Sequence, residues 1–154
     1  MLKQFRKESG FTIIELLIVI AIIGILATLV LTNFQGAQAK GRDTVRKNDI
    51  NSLYQKLEEY FNENGSYPSN ALTAATFPGI DAGALLDSNN PAVTIASTFT
   101  TNATAPTLTP TKPAQYAYGA YGTACTSGGA SGCEKYVLAA WLEKEAIYQK
   151  SSLN

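Results

Sequence analysis

Residues 11–31, FTIIELLIVIAIIGILATLVL, decide the fold of this chain of 154 residues. The stretch holds one charged side chain, Glu15, and one glycine, Gly24. Wound as an α-helix it spans about 31 Å at ~1.5 Å per residue, close to the ~30 Å hydrocarbon core of a bilayer. A helix apolar on every side must be buried in lipid or among other helices. The carboxylate is out of place there. An acidic side chain inside a spanning helix costs roughly 2.5–3.5 kcal/mol, which marks it as a functional-site candidate. Directly before it, residues 1–10 read MLKQFRKESG, with Lys3, Arg6 and Lys7 set against Glu8. A short basic leader thus meets an apolar helix at Gly10.

Two ordinary readings leave something over. A cleaved secretory signal needs a shorter apolar core followed by small residues of the A-x-A kind. Here the core is too long, and Thr32-Asn33-Phe34 offers no such site. A plain signal anchor, oriented by the basic leader under the positive-inside rule, accounts for everything except Glu15. Gly10-Phe11-Thr12-Ile13-Ile14-Glu15, with the leader before it, resembles the prepilin signature of type IV pilins and type II secretion pseudopilins. Leader, glycine, aromatic and glutamate stand together at that family's spacing.

The resemblance implies a role for each of these residues. A dedicated aspartic peptidase would cut between Gly10 and Phe11 on the cytoplasmic side. Phe11 would become the new N-terminus and be N-methylated. Glu15 would pair with the terminal amine of a neighbouring subunit during assembly. An unpaired carboxylate in hydrocarbon is costly and a paired one is tolerated, so subunits meeting in register would remove the cost. Gly24 matches a glycine where family helices loosen in the filament, and glycine weakens a helix by about 1 kcal/mol. Thr32 stands where the family often has a proline. The run Asn64-Gly65-Ser66-Tyr67-Pro68 after an amphipathic helix is a second point of resemblance, far from the first.

Composition narrows the rest. The formal charge is balanced, 12 basic against 12 acidic residues, so no strong field recruits nucleic acid or an acidic ligand. Histidine is absent, which removes the commonest general base and metal ligand. No G-x-x-x-x-G-K-[ST] run is present, and no metal site or cofactor is expected. The two cysteines, Cys125 and Cys133, would be reduced in a cytosolic protein; in a translocated domain they read as a disulfide. The anchor favours the disulfide.

Taken in order, the chain turns polar after Leu31 while helical spacing persists. Phe34, Ala37, Val45, Ile50, Leu53, Tyr54, Leu57, Tyr60 and Phe61 fall mostly at three- and four-residue steps, and no proline interrupts them. The pattern predicts one continuous helix over about residues 11–62, stopped by Asn64-Gly65. Arg42, Arg46 and Lys47 are expected on a solvated face, with lipid headgroups or a neighbouring subunit as the alternative. Residues 66–113 lose regular patterning. A short helix around 81–86 and a short strand at 93–99 are expected inside this region. The turn cluster at 87–91 has hard oxygen ligands but no calcium-loop spacing. Residues 94–111, rich in Thr, Ala and Pro, make a poor core and a good exposed loop. Asn64-Gly65-Ser66 and Asn102-Ala103-Thr104 match the N-glycosylation pattern, but such matches are common by chance. Residues 115–121 and 135–142 read as two strands joined by a Gly/Ser connection. The expected geometry is an antiparallel hairpin stapled by the disulfide. The second strand is apolar enough to need cover on both faces. The helix supplies one cover, and the Thr-rich loop or the tail 143–154 the other. The tyrosines are expected in the core and at its rim.

The expected fold is therefore α+β, a long N-terminal helix packed on a small antiparallel sheet: a leader (1–10), a transmembrane and assembly helix (11–32), and a globular domain (33–154) whose C-terminal sheet begins near 114. The expected function is that of a structural subunit of a type IV pilus-like filament. Implied partners are further copies, other pilins, the prepilin peptidase, the membrane platform and assembly ATPase, and the lipid bilayer before assembly. The chain would wait as a single-pass protein of the cytoplasmic membrane and end in an extracellular filament. A type II secretion pseudopilin or a DNA-uptake pilin is the nearest alternative. A tethered binding or enzymatic domain is the alternative from another class. Against the latter stand the missing Cys–His and Ser–His pairs, and Glu58 and Glu59, which point different ways.

Overall fold

The structure is a computed structural model that describes residues 10–69, 72–75, 77–87, 90–110, 116–126 and 132–153. Apart from Gly10 the expected leader lies outside the described residues, as do Ser88 and Asn89 of the turn cluster, Gln115, and most of the Gly/Ser connection. Helix α1 runs Ile13–Asn64 without a break. By contacts the chain divides into two units, Met1–Gln38 and Ala39–Asn154. In the first unit α1 is a bare rod; its apolar side chains from Phe11 to Phe34 all lie exposed.

In the second unit α1 buries a narrow stripe: Ala39, Asp43, Arg46, Ile50, Leu53 and Leu57. The steps alternate four and three, which keeps one line of side chains facing a single partner. The stop comes where expected. Gly65 takes φ +71°, a left-handed value open to glycine, and its N–H donates to the Phe61 carbonyl at 2.8 Å. Pro68 then forbids resumption.

The partner of the stripe is a four-stranded sheet in the order β3-β4-β5-β6, with β3 Ala96–Thr100, β4 Tyr116–Tyr121, β5 Lys135–Ala140 and β6 Tyr148–Ser151. The expected hairpin is β4 with β5, antiparallel from Tyr116↔Ala140 to Tyr121↔Lys135. The sheet is mixed, because β3 joins β4 in parallel. The apolar 93–99 run divides at buried Ile95 into β2, Asn90–Thr94, and β3. Strand β2 turns back on the two-residue β1, Leu86–Asp87. A 3₁₀ turn, Ala82–Leu85, forms within the expected short helix, capped by the Asp81 carboxylate on the Gly83 N–H at 2.9 Å.

Cover for the second face comes from the Thr-rich loop. Leu108 packs with Ala117, Ala139 and Val137. Gly119 lets the loop approach: a Cβ there would lie 2.6 Å from Pro106 Cγ. The tail instead supplies β6, which extends the sheet edge from Val137↔Ser151 to Ala140↔Tyr148.

Between α1 and the sheet the phenol rings stack and their hydroxyls are spent on fixed partners. Tyr67 stacks on Phe61 and meets Tyr136 edge-on, each at 4.6 Å between centroids. Tyr136 and Tyr67 donate to the two oxygens of Glu58 at 2.8 and 3.0 Å. Tyr116 donates to Asp49 at 2.6 Å, and Tyr118 to the Pro68 carbonyl at 2.7 Å. Burial, and then the Glu58 carboxylate, push ionisation of Tyr136 far above the phenol range, so it stays a donor. Cys125 and Cys133 form the expected disulfide, fully buried. The Cys133 carbonyl accepts the Tyr67 N–H at 2.9 Å, tying the segment after α1 to the hairpin. In the chain-entropy account a loop this short gains about 2.5 kcal/mol from such a bond.

Candidate functional site

The first turn of α1 is built by two side chains. Thr12 Oγ1 accepts the Glu15 N–H at 3.3 Å, and Glu15 Oε2 accepts the Thr12 N–H at 2.9 Å. Thr12 Oγ1 also donates to Glu15 Oε2 at 2.6 Å. This reciprocal arrangement is a capping box, which satisfies two N–H groups that the helix leaves without intrahelical acceptors. Glu15 therefore has a local partner within its own chain. The T-x-x-E spacing was visible in the sequence.

Beyond Glu15, polar side chains described on the rod bond back to its own backbone. Thr28 returns its hydroxyl to the Ile25 carbonyl at 2.7 Å, and Asn33 its amide to the Leu29 carbonyl at 3.0 Å. Both groups are thus satisfied without water. Gly24 has no atom within 4 Å of where a side chain would start, so nothing in the isolated chain requires glycine there. Among the described residues α1 is the one helix long and apolar enough to cross a membrane, and none of its apolar window is buried.

The basic cluster corrects the expectation of a solvated face. Arg46 is 0% exposed and Asp43 2%. Arg46 Nη1 donates to Asp43 Oδ1 at 2.9 Å and to Glu143 Oε1 at 3.1 Å. Arg42 grips Glu143 with two bonds of 2.7 Å. The Asp43 carboxylate accepts the N–H groups of Glu143 and Lys144 at 2.8 and 3.0 Å. Lys47 pairs with Glu145 at 2.6 Å nearer the surface. The physical reason is the stripe itself: stepping back from Leu57 by threes and fours lands on Arg46 and Asp43. There they fasten the β5–β6 connection to α1.

Arg42 first, and Arg46 with it, hold the Glu143 carboxyl down at about 2 against the opposing effect of burial. Its folded value lies below the ordinary carboxylate value of 4.5, so the contribution to stability is complete above that pH and lost on descent from about 4.5 to about 2. Allowing for solvent screening, the effect is on the order of 2 kcal/mol. Urea melts of the detergent-solubilised protein between pH 6 and pH 2 should show a steeper loss of stability than the same melts of Glu143→Gln.

Comparison with known proteins bears on the N-terminal stretch. A family model described as the prokaryotic N-terminal methylation motif matches residues 5–31. The type II secretion system core protein G of Pseudomonas aeruginosa is 41% identical over 66 residues, 43% of this chain and 46% of that protein. The type IV wide pilus major component PilA4 of Thermus thermophilus is 46% identical over 65 residues, 42% of this chain and 50% of that protein. Over its N-terminal stretch the chain is similar to type IV pilins and type II secretion pseudopilins. The Myxococcus xanthus type IV major pilin protein PilA is 41% identical over 61 residues, 28% of its length. The chain thus spans about half the length, or less, of these curated pilins and pseudopilins. No solved structure gives a significant match. Among the described residues no group of three or more His, Cys, Asp or Glu could hold a metal ion.

Proposed function

We propose that this chain is a subunit of a type IV pilus-like filament, assembled from the cytoplasmic membrane through residues 11–32. The observation that carries the reading is the exposed apolar rod whose single acid stands five residues after Gly10. Prepilin peptidase removes residues 1–10 between Gly10 and Phe11, and Phe11 is N-methylated. The freed rod leaves the bilayer and packs with rods of other copies and other pilins. A membrane platform and a cytoplasmic ATPase drive that step. Glu15 pairs with the terminal amine of a neighbour, and Gly24 gives the helix a point at which to loosen. The domain of residues 33–154 faces the outside before and after assembly. The chain itself works mechanically and catalyses nothing.

Mass measurement of the mature protein tests this directly. It should begin at methylated Phe11. Gly10→Leu should leave the leader attached. A mature chain that still begins at Met1 would instead favour a tethered domain.

The pseudopilin reading stands beside the pilus reading because relatives named for both match with similar identity. Electron microscopy of cells lacking this chain separates the two. Loss of surface filaments supports the pilus, and intact filaments with retained exoproteins support the pseudopilus.

A further inference from the structure

Two stretches fit the Asn-x-Ser/Thr acceptor pattern, and the fold treats them differently. Asn64 ends α1, and its Nδ2 donates to the Tyr60 carbonyl at 2.9 Å. Ser66, the hydroxyl residue of that pattern, is buried. The last helical turn would have to open before this site could react.

Asn102 sits in the loop that follows β3, where residues 101–105 are all exposed. Its Oδ1 accepts the Thr104 N–H at 3.3 Å. An N–H donor fixes which side of the carboxamide is oxygen, so Nδ2 is turned away from the backbone. The Asn102 carbonyl accepts the Gly122 N–H at 3.1 Å, which pins the loop to the residue after β4 without using the side chain. Ala103 fills the middle position and Ala105 follows Thr104, so no proline obstructs an extended approach. The acceptor amide, the hydroxyl residue and the turn between them stand ready on the surface.

We propose that Asn102 is a glycosylation site, carrying an oligosaccharide delivered from a polyprenyl-diphosphate donor in the membrane. The step forms a bond from Asn102 Nδ2 to the anomeric carbon. The bond from that carbon to the diphosphate oxygen breaks, and the polyprenyl diphosphate leaves with the electron pair. A carboxamide proton passes to a base of the transferase, and nothing is oxidised or reduced. The Thr104 hydroxyl is the recognition element on this chain. The inference rests on the proposed exposure of residues 33–154 outside the cytoplasm, where the donor would meet them.

The test is mass spectrometry of the protein isolated from its own cells, with fragmentation that preserves sugar–peptide bonds. One oligosaccharide mass should localise to Asn102 and none to Asn64. It should vanish in Asn102→Gln and in Thr104→Ala, and persist in Thr104→Ser. Unchanged thermal melts of all three variants would show that the loop, not the fold, is altered. A bare Asn102 in a chain that begins at Phe11 overturns the proposal and leaves the filament reading standing. A bare Asn102 in a chain that begins at Met1 overturns both. Sugar on a Ser or Thr hydroxyl of residues 97–109, or sugar that survives Thr104→Ala, also overturns it.

Discussion

Cells whose only copy of this chain carries Glu15→Gln should insert and process it normally yet assemble roughly a hundred-fold fewer filaments, since an uncompensated acid costs about 2.5–3.5 kcal/mol in a spanning helix and 1.4 kcal/mol is a factor of ten. Glutamine is chosen because two physical roles compete at this position. The capping box needs an acceptor that reaches back to the Thr12 N–H, and a Gln side chain provides one. Pairing with a cationic N-terminus needs a charge, and Gln has none. Glu15→Ala removes both and cannot separate them. If Glu15→Gln assembles as well as the native chain, the acid serves only to start α1, and the pairing proposal fails. If Glu15→Gln and Glu15→Ala are equally defective while Thr12→Ala assembles normally, charge is the operative property. The capping box also answers how the acid waits in the membrane. Two donors from Thr12 already meet one of its oxygens, so its desolvation is partly offset before any neighbour arrives.

The sequence was most legible where one property repeats. Twenty-one residues with a single charge read as one kind of helix, and the short, near-continuous apolar and aromatic runs after residue 114 read as strands. The helix stop at Gly65, the stapled hairpin and the hydroxyl-tipped tyrosines in the core all followed from local chemistry. The parallel seat of β3 did not, because a parallel pairing is made by distant segments and leaves no turn signature between them. Likewise the tail carried too few apolar residues to announce β6, whose Tyr148 and Lys150 alternate with exposed Gln149 and Ser151. The Arg46 reading went astray through residue type: charge was taken as exposure. Position on the stripe outweighed it, because each charge finds an opposite charge and an N–H or carboxylate at bonding distance.

That buried pair makes the second large prediction. Arg46→Met should cost roughly 3–5 kcal/mol of stability, because it leaves Asp43 ionised inside the domain without its cation. The Asp43 oxygens would still accept the N–H groups of Glu143 and Lys144, and Glu143 would keep Arg42, so the connection is weakened rather than released. Neutralising the abandoned acid should therefore restore much of the loss. In Asp43→Asn with Arg46→Met, the amide oxygen can still take a backbone N–H, and no buried charge remains. The double variant should be more stable than Arg46→Met by at least about 1 kcal/mol, a coupling that chemical denaturation of the four proteins in a double-mutant cycle would read. Additive losses would mean that Asp43 and Arg46 do not sense each other's charge. A loss under about 1 kcal/mol for Arg46→Met would mean that the cation reaches water and the pair behaves as a surface ion pair. The site of damage is also predictable. The β5–β6 connection and strand β6 should lose amide protection from hydrogen exchange before β4 and β5 do, since the latter are held by each other, by the disulfide and by Glu58.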